Sequence, residues 1–221
     1  MAGALHNRTV QLLLIVLAGA VAMAVGIGFG MFQRDSGPGQ PLSLEGGTWL
    51  SEPRNLPEFE LVDMHGAPFT KASLEGRWTF MFFGYTYCPD ICPLTMALLG
   101  SAVEEVRRLD PGAEDPNVVL VSVDPERDTP EALKQYVSYF NPDFMGVTGP
   151  MEQLTPFTRT LGILHQKADD PRDPDNYLVD HSASILLFNP RGQLQAVLGA
   201  PHQVETLATD YLRILKHSER S

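Results

Sequence analysis

Cys88 and Cys92 stand in the segment FFGYTYCPDICP (residues 82–93), which leaves an apolar run and enters a helical pattern. Pro93 suits the first helical position, so Cys92 is predicted to be the N-cap residue. At this spacing two Cα atoms of helix-like chain lie about 6 Å apart, which suits either a disulfide or two thiolates on one metal ion. The N–H groups of a helix start also lower the pKa of a thiol. The pair is therefore predicted to react or to bind metal.

Without a metal, the same pair admits three interpretations. A structural disulfide would close a loop of only a few residues and would remove little entropy from the unfolded chain. Peroxiredoxin-like peroxidases carry a proline seven residues and a threonine three residues before the reactive cysteine, where this chain has Met81 and Tyr85, which argues against that class. Thioredoxin-like oxidoreductases carry C-x-x-C and a facing cis-proline, whereas this motif is C-x-x-x-C and residues 179–184 contain no proline. This last class remains the main alternative.

A histidine stands where that proline would be expected. His181 precedes the apolar run Ile185–Phe188, and if this strand is antiparallel to the central strands, its start lies at the edge where they end. Cys88 follows one central strand and Asp124 follows the other. Because sites of open α/β sheets form at such an edge, these three side chains are predicted to lie close together. The other five of the six histidines suit surface or core positions.

Two thiolates and one imidazole make a soft ligand set. Zinc prefers four ligands, so an open site of Cys88, Cys92 and His181 suits copper, above all Cu(I). Cu(II) would need an added oxygen ligand or water. Asp124, in VSVDPERDTP (residues 121–130), is a weaker candidate, because an acidic residue at a strand end is often a cap or a loop anchor. It is assigned a role around the metal or in partner docking.

The elements that must position these residues follow a strand–helix pattern. Short apolar runs predict strands at residues 59–62, 67–69, 78–83, 118–123, 185–188 and 194–198. Apolar stripes at spacings of three and four predict helices at residues 94–109, 130–140, 151–161 and 204–215, the third of them interrupted by Pro156. This order predicts an α/β domain in which helices flank a mixed sheet.

Composition limits the function classes. The 221 residues suffice for one domain with a tail, and a hydrophobic content of 43% predicts a packed core. With 16 basic and 27 acidic residues the net charge is −11, which argues against a nucleic-acid-binding protein. The two cysteines are too few for a disulfide-stapled scaffold.

The run from Leu12 to Phe32 holds 21 residues without a polar side chain and predicts one transmembrane helix. A cleaved signal peptide is the alternative, although its apolar region is usually shorter. Residues 1–11 are then predicted to be cytoplasmic. Residues 33–57, rich in Gly, Pro and Ser, are predicted to form a flexible linker, and residues 58–217 the globular domain.

Three segments together resemble the Sco/SenC family of thioredoxin-like, membrane-anchored copper proteins: FFGYTYCPDICP, VSVDPERDTP and YLVDHSASILLFNP (residues 177–190). They stand in the family's order and spacing across residues 50–217. The resemblance implies a thioredoxin-like fold with Cys88, Cys92 and His181 as copper ligands. It places Asp124 at the family's acidic position near the metal. Pro156 and the acidic insertion 169–176 (DDPRDPDN) are departures from the family pattern.

The resemblance also implies a place and a role. The domain would lie in the bacterial periplasm, held to the inner membrane, or in the mitochondrial intermembrane space. It would assist the assembly of cytochrome c oxidase by delivering copper to the CuA site of subunit II, by reducing that site's cysteines with the Cys88–Cys92 dithiol, or by both. Other periplasmic copper carriers are further expected partners. A metal-independent thiol–disulfide oxidoreductase and a redox or copper sensor remain the alternatives to a metallochaperone.

Overall fold

The computed structural model describes residues 42–168 and 177–220, together with Met23. Its strands are β1 (Gly47–Arg54), β2 (Glu60–Asp63), β3 (Pro68–Thr70), β4 (Thr79–Gly84), β5 (Asn117–Ser122), β6 (Met145–Thr148), β7 (His165–Ala168), β8 (Leu178–His181), β9 (Ile185–Phe188) and β10 (Leu194–Leu198). Its helices are α1 (Ile91–Leu109), α2 (Pro130–Phe140), α3 (Met151–Leu161) and α4 (Val204–Ser218), with a short 3-10 helix at Lys71–Leu74.

Eight strands form one mixed sheet in the order β1-β10-β9-β4-β5-β6-β2-β3, and β7 pairs with β8 in a separate two-stranded ribbon. Strands β4, β5 and β6 are parallel, while β9 is antiparallel to β4, with Ile185 opposite Phe82. Strands β2 and β3 form one antiparallel hairpin, and β9 and β10 form another. The predicted mixed α/β sheet is therefore confirmed. The start of β9 lies at the edge where β4 and β5 end.

Strand β4 is buried along its whole length and is covered on both faces. Phe80 packs against Tyr211 of α4, with ring centroids 5.5 Å apart. Phe83 packs against Phe157 of α3, with ring centroids 6.1 Å apart. Because side chains alternate along a strand, Phe80 and Phe83 point to opposite faces, so α4 and α3 lie on opposite sides of the sheet. Helices flank the sheet, as the apolar central strands predict.

Strand β1 lies within the stretch that composition assigned to the linker, residues 33–57. It pairs antiparallel with β10 at the edge of the sheet. A Cβ on Gly47 would clash with the carbonyl oxygen of Val197, so glycine permits the close pairing. Just upstream, the buried carboxylate of Asp210 accepts the backbone N–H groups of residues 45 and 46, at 3.0 and 2.7 Å. The ordered domain thus begins before the expected end of the linker, because a half-exposed edge strand lacks a continuous apolar run.

Helix α1 begins at Ile91 with Asp90 as its N-cap residue, earlier than the sequence pattern predicts. Pro93 therefore occupies the third helical position. Its missing N–H costs no helical hydrogen bond there, because the first four N–H groups of a helix have no partner inside the helix. Cys92 consequently lies within the first turn, and its prediction as the N-cap residue is wrong.

Parts of the predicted organisation lie outside the described residues. These are the cytoplasmic segment 1–11, the transmembrane segment 12–32 apart from Met23, and the acidic insertion 169–176. Among the residues that the structure does describe, no helix has the length and apolar character to cross a bilayer. The described residues 42–168 and 177–220 belong to one compact unit.

Candidate metal centre

Two elements present the cysteines at the carboxyl end of β4. Cys88 lies in the loop after the strand and is half-buried, whereas Cys92 lies in the first turn of α1 and is fully buried. Both are free thiols. The Cys88 N–H group donates a hydrogen bond of 3.3 Å to the carbonyl oxygen of Tyr85, which closes the loop into a turn. One sulfur is thus accessible from outside, and the other is enclosed by the protein.

A glycine makes room for the enclosed sulfur. Gly84 is the last residue of β4, and a Cβ built on it would lie 2.8 Å from the Sγ atom of Cys92. Real Cβ atoms do not approach another heavy atom so closely, so any larger residue would displace the sulfur or the helix that carries it. The sulfur of Cys92 therefore packs directly on the backbone of the central strand.

His181 reaches the same place from the end of β8. Its Nε2 atom lies 3.3 Å from Sγ of Cys92. The candidate ligand atoms of Cys88, Cys92 and His181 all lie within 4.8 Å of one another. Two sulfurs and one ring nitrogen, far apart in sequence, are thus gathered into one cluster whose dimensions suit a single metal ion.

The hydrogen bonds of His181 set which nitrogen faces the sulfurs. Its Nδ1 lies 3.2 Å from the carbonyl oxygen of Ser182, which can only accept a hydrogen bond, so Nδ1 carries the proton. Nε2 then keeps its lone pair and accepts the thiol hydrogen of Cys92. Burial is the main influence on this ring and lowers the pKa of His181, which favours neutral imidazole. The ring is prepared to offer one nitrogen to a metal.

Aromatic rings fix the orientation of His181. Phe82 and Tyr85 meet its ring edge-on, with centroid distances of 5.8 and 6.0 Å. The Tyr85 hydroxyl also accepts a hydrogen bond of 3.1 Å from the N–H group of Val179, two residues before the histidine. Tyr85 therefore links the Cys88 loop to strand β8 by both a hydrogen bond and a ring contact.

The electrostatics of Cys92 differ from the sequence-based expectation. Its position at a helix start predicts a lowered thiol pKa, but burial raises the pKa of Cys92, and the neighbouring Cys88 adds to the increase. The cost of removing a thiolate from water outweighs the helix N-terminus here. The expectation is therefore wrong for Cys92, which carries its proton at neutral pH until a cation replaces it.

Asp124 lies outside the cluster of possible ligands. It is 3% exposed, and both of its oxygens are occupied. Oδ2 accepts a hydrogen bond of 2.5 Å from Nε of Arg127, and Oδ1 accepts one of 2.7 Å from the hydroxyl of Tyr177. This burial argues against the expected role in partner docking. Asp124 instead anchors Tyr177, the residue that leads into the strand of His181.

Sequence reasoning missed a second acidic residue of the same motif. The carboxylate of Asp128 is buried and accepts hydrogen bonds from the Thr86 N–H group (3.1 Å), the Thr86 hydroxyl (2.5 Å) and the Ser122 hydroxyl (2.6 Å). Burial raises the pKa of Asp128. The residue ties the loop of Cys88 to the end of β5. The only sequence signal for Asp128 is that it is a further acidic residue within VSVDPERDTP, the segment that also contains Asp124.

The comparisons with known proteins agree with this geometry. A family model described as SCO1/SenC matches residues 50–216. A Stutzerimonas stutzeri protein whose name refers to copper binding is 40% identical over 162 residues, which are 72% of this chain and 76% of that protein. The mitochondrial SCO2 homolog of Mus musculus is 37% identical over 158 residues, 71% of this chain and 60% of that protein. The chain thus spans less than two thirds of its mouse relative.

A solved structure extends the comparison to the fold. The crystal structure of Arabidopsis thaliana ScoI with copper bound aligns with a TM-score of 0.68 at 32% identity, covering 73% of this chain and 98% of that one. The likeness confirms the expected thioredoxin-like α/β arrangement.

Proposed function

The chain belongs to the SCO1/SenC family, and we propose that it carries copper on Cys88, Cys92 and His181 for the assembly of cytochrome c oxidase. The observation that carries this proposal is the meeting of two thiol sulfurs and one imidazole nitrogen within 4.8 Å of one another. Relatives named for copper binding, or solved with copper bound, support the choice of metal.

The ligand chemistry also favours copper as the cargo. Thiolate ligands suit both Cu(I) and zinc, but zinc prefers four ligands, so a set of three favours Cu(I) and leaves a position open for an incoming ligand. Cu(II) would need an added oxygen ligand. Since Cys92 is enclosed and Cys88 is half-buried, a partner's thiolate would approach beside Cys88. His181 is neutral, so it can leave the metal without a change in its own charge. Ligand exchange then passes the ion onward without releasing it to water.

The recipient that we propose is the CuA site of subunit II, with other periplasmic copper carriers as donors. We also propose that residues 12–32 hold the chain in the bacterial inner membrane as a single span, with the domain in the periplasm. In a mitochondrial protein the domain would face the intermembrane space. The unbroken apolar run of residues 12–32 supports the anchor. Membrane fractionation checks it: the full-length protein should resist extraction at alkaline pH, and an anchor that washes off contradicts the proposal.

The half-buried thiol of Cys88 favours a second candidate function, reduction of a partner's disulfide. Cys88 would attack one partner sulfur to form a mixed disulfide, and Cys92 would then attack Cys88. The chain ends with a Cys88–Cys92 disulfide, and the partner leaves with two thiols. The two hydrogen atoms lost by the chain are gained by the partner. This reaction needs no imidazole.

Titration of the reduced, full-length protein with Cu(I) against a competing chelator tests the main proposal. We expect one tight equivalent, lost in Cys88→Ser and Cys92→Ser and weakened in His181→Ala. His65→Ala, in an exposed turn, is the matched control and should bind as the wild type does. Tight binding that survives the loss of either cysteine would refute the copper site.

The two candidate functions separate in cells. If copper delivery is the main role, His181→Ala should impair oxidase assembly and added copper should restore it. If the dithiol alone acts, His181→Ala should retain full function while either cysteine variant is inactive.

A further inference from the structure

The guanidinium of Arg127 lies among three tyrosine rings. Its central carbon is 3.6 Å from the ring centroid of Tyr177, 4.8 Å from that of Tyr87 and 5.7 Å from that of Tyr85. The side chain is only 14% exposed. A planar cation enclosed in this way gains more from the ring faces than an exposed one does.

The three rings belong to the two segments that carry the candidate ligands. Tyr85 and Tyr87 precede Cys88 in its loop, whereas Tyr177 leads into β8, the strand that ends at His181. The guanidinium of Arg127 therefore contacts both the Cys88 loop and the residue that precedes β8, two segments that are far apart in the chain.

Hydrogen bonds fix the direction of Arg127. Its Nε donates to Oδ2 of Asp124 at 2.5 Å, and Nη2 donates to the carbonyl oxygen of Tyr177 at 3.1 Å. The hydroxyl of Tyr177 donates to the other oxygen of Asp124 at 2.7 Å. The three residues form a closed triangle at the end of β5. A lysine carries the same charge but lacks the planar face and the two separate donors that this triangle uses.

The triangle is connected to His181 through β8. Tyr177 stands next to the strand, and the Val179 N–H group donates to the hydroxyl of Tyr85 at 3.1 Å. The ring of Tyr85 in turn meets the ring of His181 at 6.0 Å. A displacement of Tyr177 would thus move the strand relative to the Cys88 loop, and the imidazole would move with the strand.

We propose that Arg127 is a positioning residue for the metal centre: by holding the Cys88 loop and strand β8 together, it sets how closely His181 approaches the two sulfurs. Its effect on copper affinity rests on the proposed function above. Its effect on the position of the imidazole does not, since that can be measured without a metal.

Arg127→Lys is the first variant, because it retains the positive charge beside buried Asp124. We expect its Cu(I) affinity to fall by roughly tenfold, as losses among groups that orient metal ligands do. The Cu(II)-loaded variant should show weakened nitrogen hyperfine coupling in its electron paramagnetic resonance spectrum. In the His181→Ala background the same substitution should cause no further loss, because the two changes act on one ligand. Arg107→Lys, which exchanges an exposed arginine of α1, is the matched control and should change neither property.

A second variant distinguishes the positioning role from a general loss of folding. Tyr177→Phe retains the ring under Arg127 but removes its hydroxyl, so it should weaken copper binding less than Arg127→Lys and in the same direction. In the reduced, metal-free protein, the ring signals of His181 in NMR spectra should shift in both variants and stay unchanged in Arg107→Lys.

Two results would overturn the positioning role. One is a His181 ring signal and a copper affinity that match the wild type in Arg127→Lys. The other is a loss in Arg127→Lys that multiplies with the loss in His181→Ala, since independent losses indicate general weakening of the fold. A wild-type protein that takes up no copper would instead refute the proposed function, and the NMR comparison would still decide the role of Arg127.

Discussion

The Sγ atom of Cys92 lies 3.3 Å from Nε2 of His181, although 89 residues separate the two along the chain. Helix α1 brings the sulfur onto the backbone of Gly84, and the β7–β8 ribbon brings the imidazole. Each ligand can therefore be disturbed through its own supporting element. The effects of substitutions on metal binding and on folding can then be separated.

Copper uptake should strengthen as pH rises. Burial raises the pKa of Cys92, so this thiol carries a proton at neutral pH and must lose it on binding a metal. Burial lowers the pKa of His181, which favours the neutral imidazole, so this residue contributes less to the proton release than Cys92 does. In competition titrations from about pH 6 to about pH 8, the Kd for Cu(I) should fall about tenfold per pH unit for each proton released. A pH-independent Kd would contradict this account.

Gly84→Ala should damage the metal centre. The new Cβ would lie 2.8 Å from Sγ of Cys92, so the sulfur or α1 must move. We expect weaker Cu(I) binding together with a loss of roughly 1–3 kcal/mol in the free energy of unfolding, as overpacking of a core costs. Gly199→Ala is the matched control, because a Cβ there meets nothing within 4 Å. Chelator competition and urea unfolding measure the two effects, and equal behaviour of both variants would speak against the close packing.

Asp128→Ala should loosen the loop of Cys88. Its carboxylate accepts three hydrogen bonds from Thr86 and Ser122, and alanine leaves these donors without their acceptor. We expect a loss of about 1–3 kcal/mol in the free energy of unfolding. Cys88 should also be alkylated faster than in the wild type, and mass spectrometry measures this rate. Asp143→Ala, at an exposed position, serves as the control. Unchanged alkylation in Asp128→Ala would show that the loop does not depend on this anchor.

Asp210→Asn should weaken the fold without affecting copper. The two oxygens of the carboxylate accept hydrogen bonds from the N–H groups of Glu45 and Gly46. The side-chain amide of asparagine has only one oxygen, so one of these two N–H groups would lose its acceptor. We expect unfolding to become easier by about 1–3 kcal/mol. Glu205→Gln, exposed on the same helix, is the control and should stay near the wild-type value. A drop in copper affinity in Asp210→Asn would contradict the separation of fold and site.

Much of the fold could be predicted because its central elements are apolar. Strands β4 and β5 and the hairpin β9–β10 are runs of mostly buried residues, and α2 is preceded by its N-cap residue Thr129, whose hydroxyl accepts the N–H group of Ala132. The convergence of Cys88, Cys92 and His181 could also be predicted. It depends on the antiparallel direction of β9 relative to β4, which is a condition of the prediction and is shown by the structure.

The elements that could not be predicted lack such a signal. Strands β7 and β8 have mostly polar sequences (HQKA and LVDH), because their ribbon is exposed along much of its length. Strand β1 is hidden within a stretch rich in Gly, Pro and Ser. The pKa of Cys92 could not be anticipated either. A helix start is visible in the sequence, whereas burial against Gly84 depends on how the helix packs on the sheet.

His181 ends a two-stranded ribbon that stands apart from the eight-stranded sheet. Substitutions in that ribbon would shift the imidazole relative to the two sulfurs while leaving the packed interior of the large sheet unchanged. The strength of the proposed metal site can therefore be altered separately from the stability of the domain.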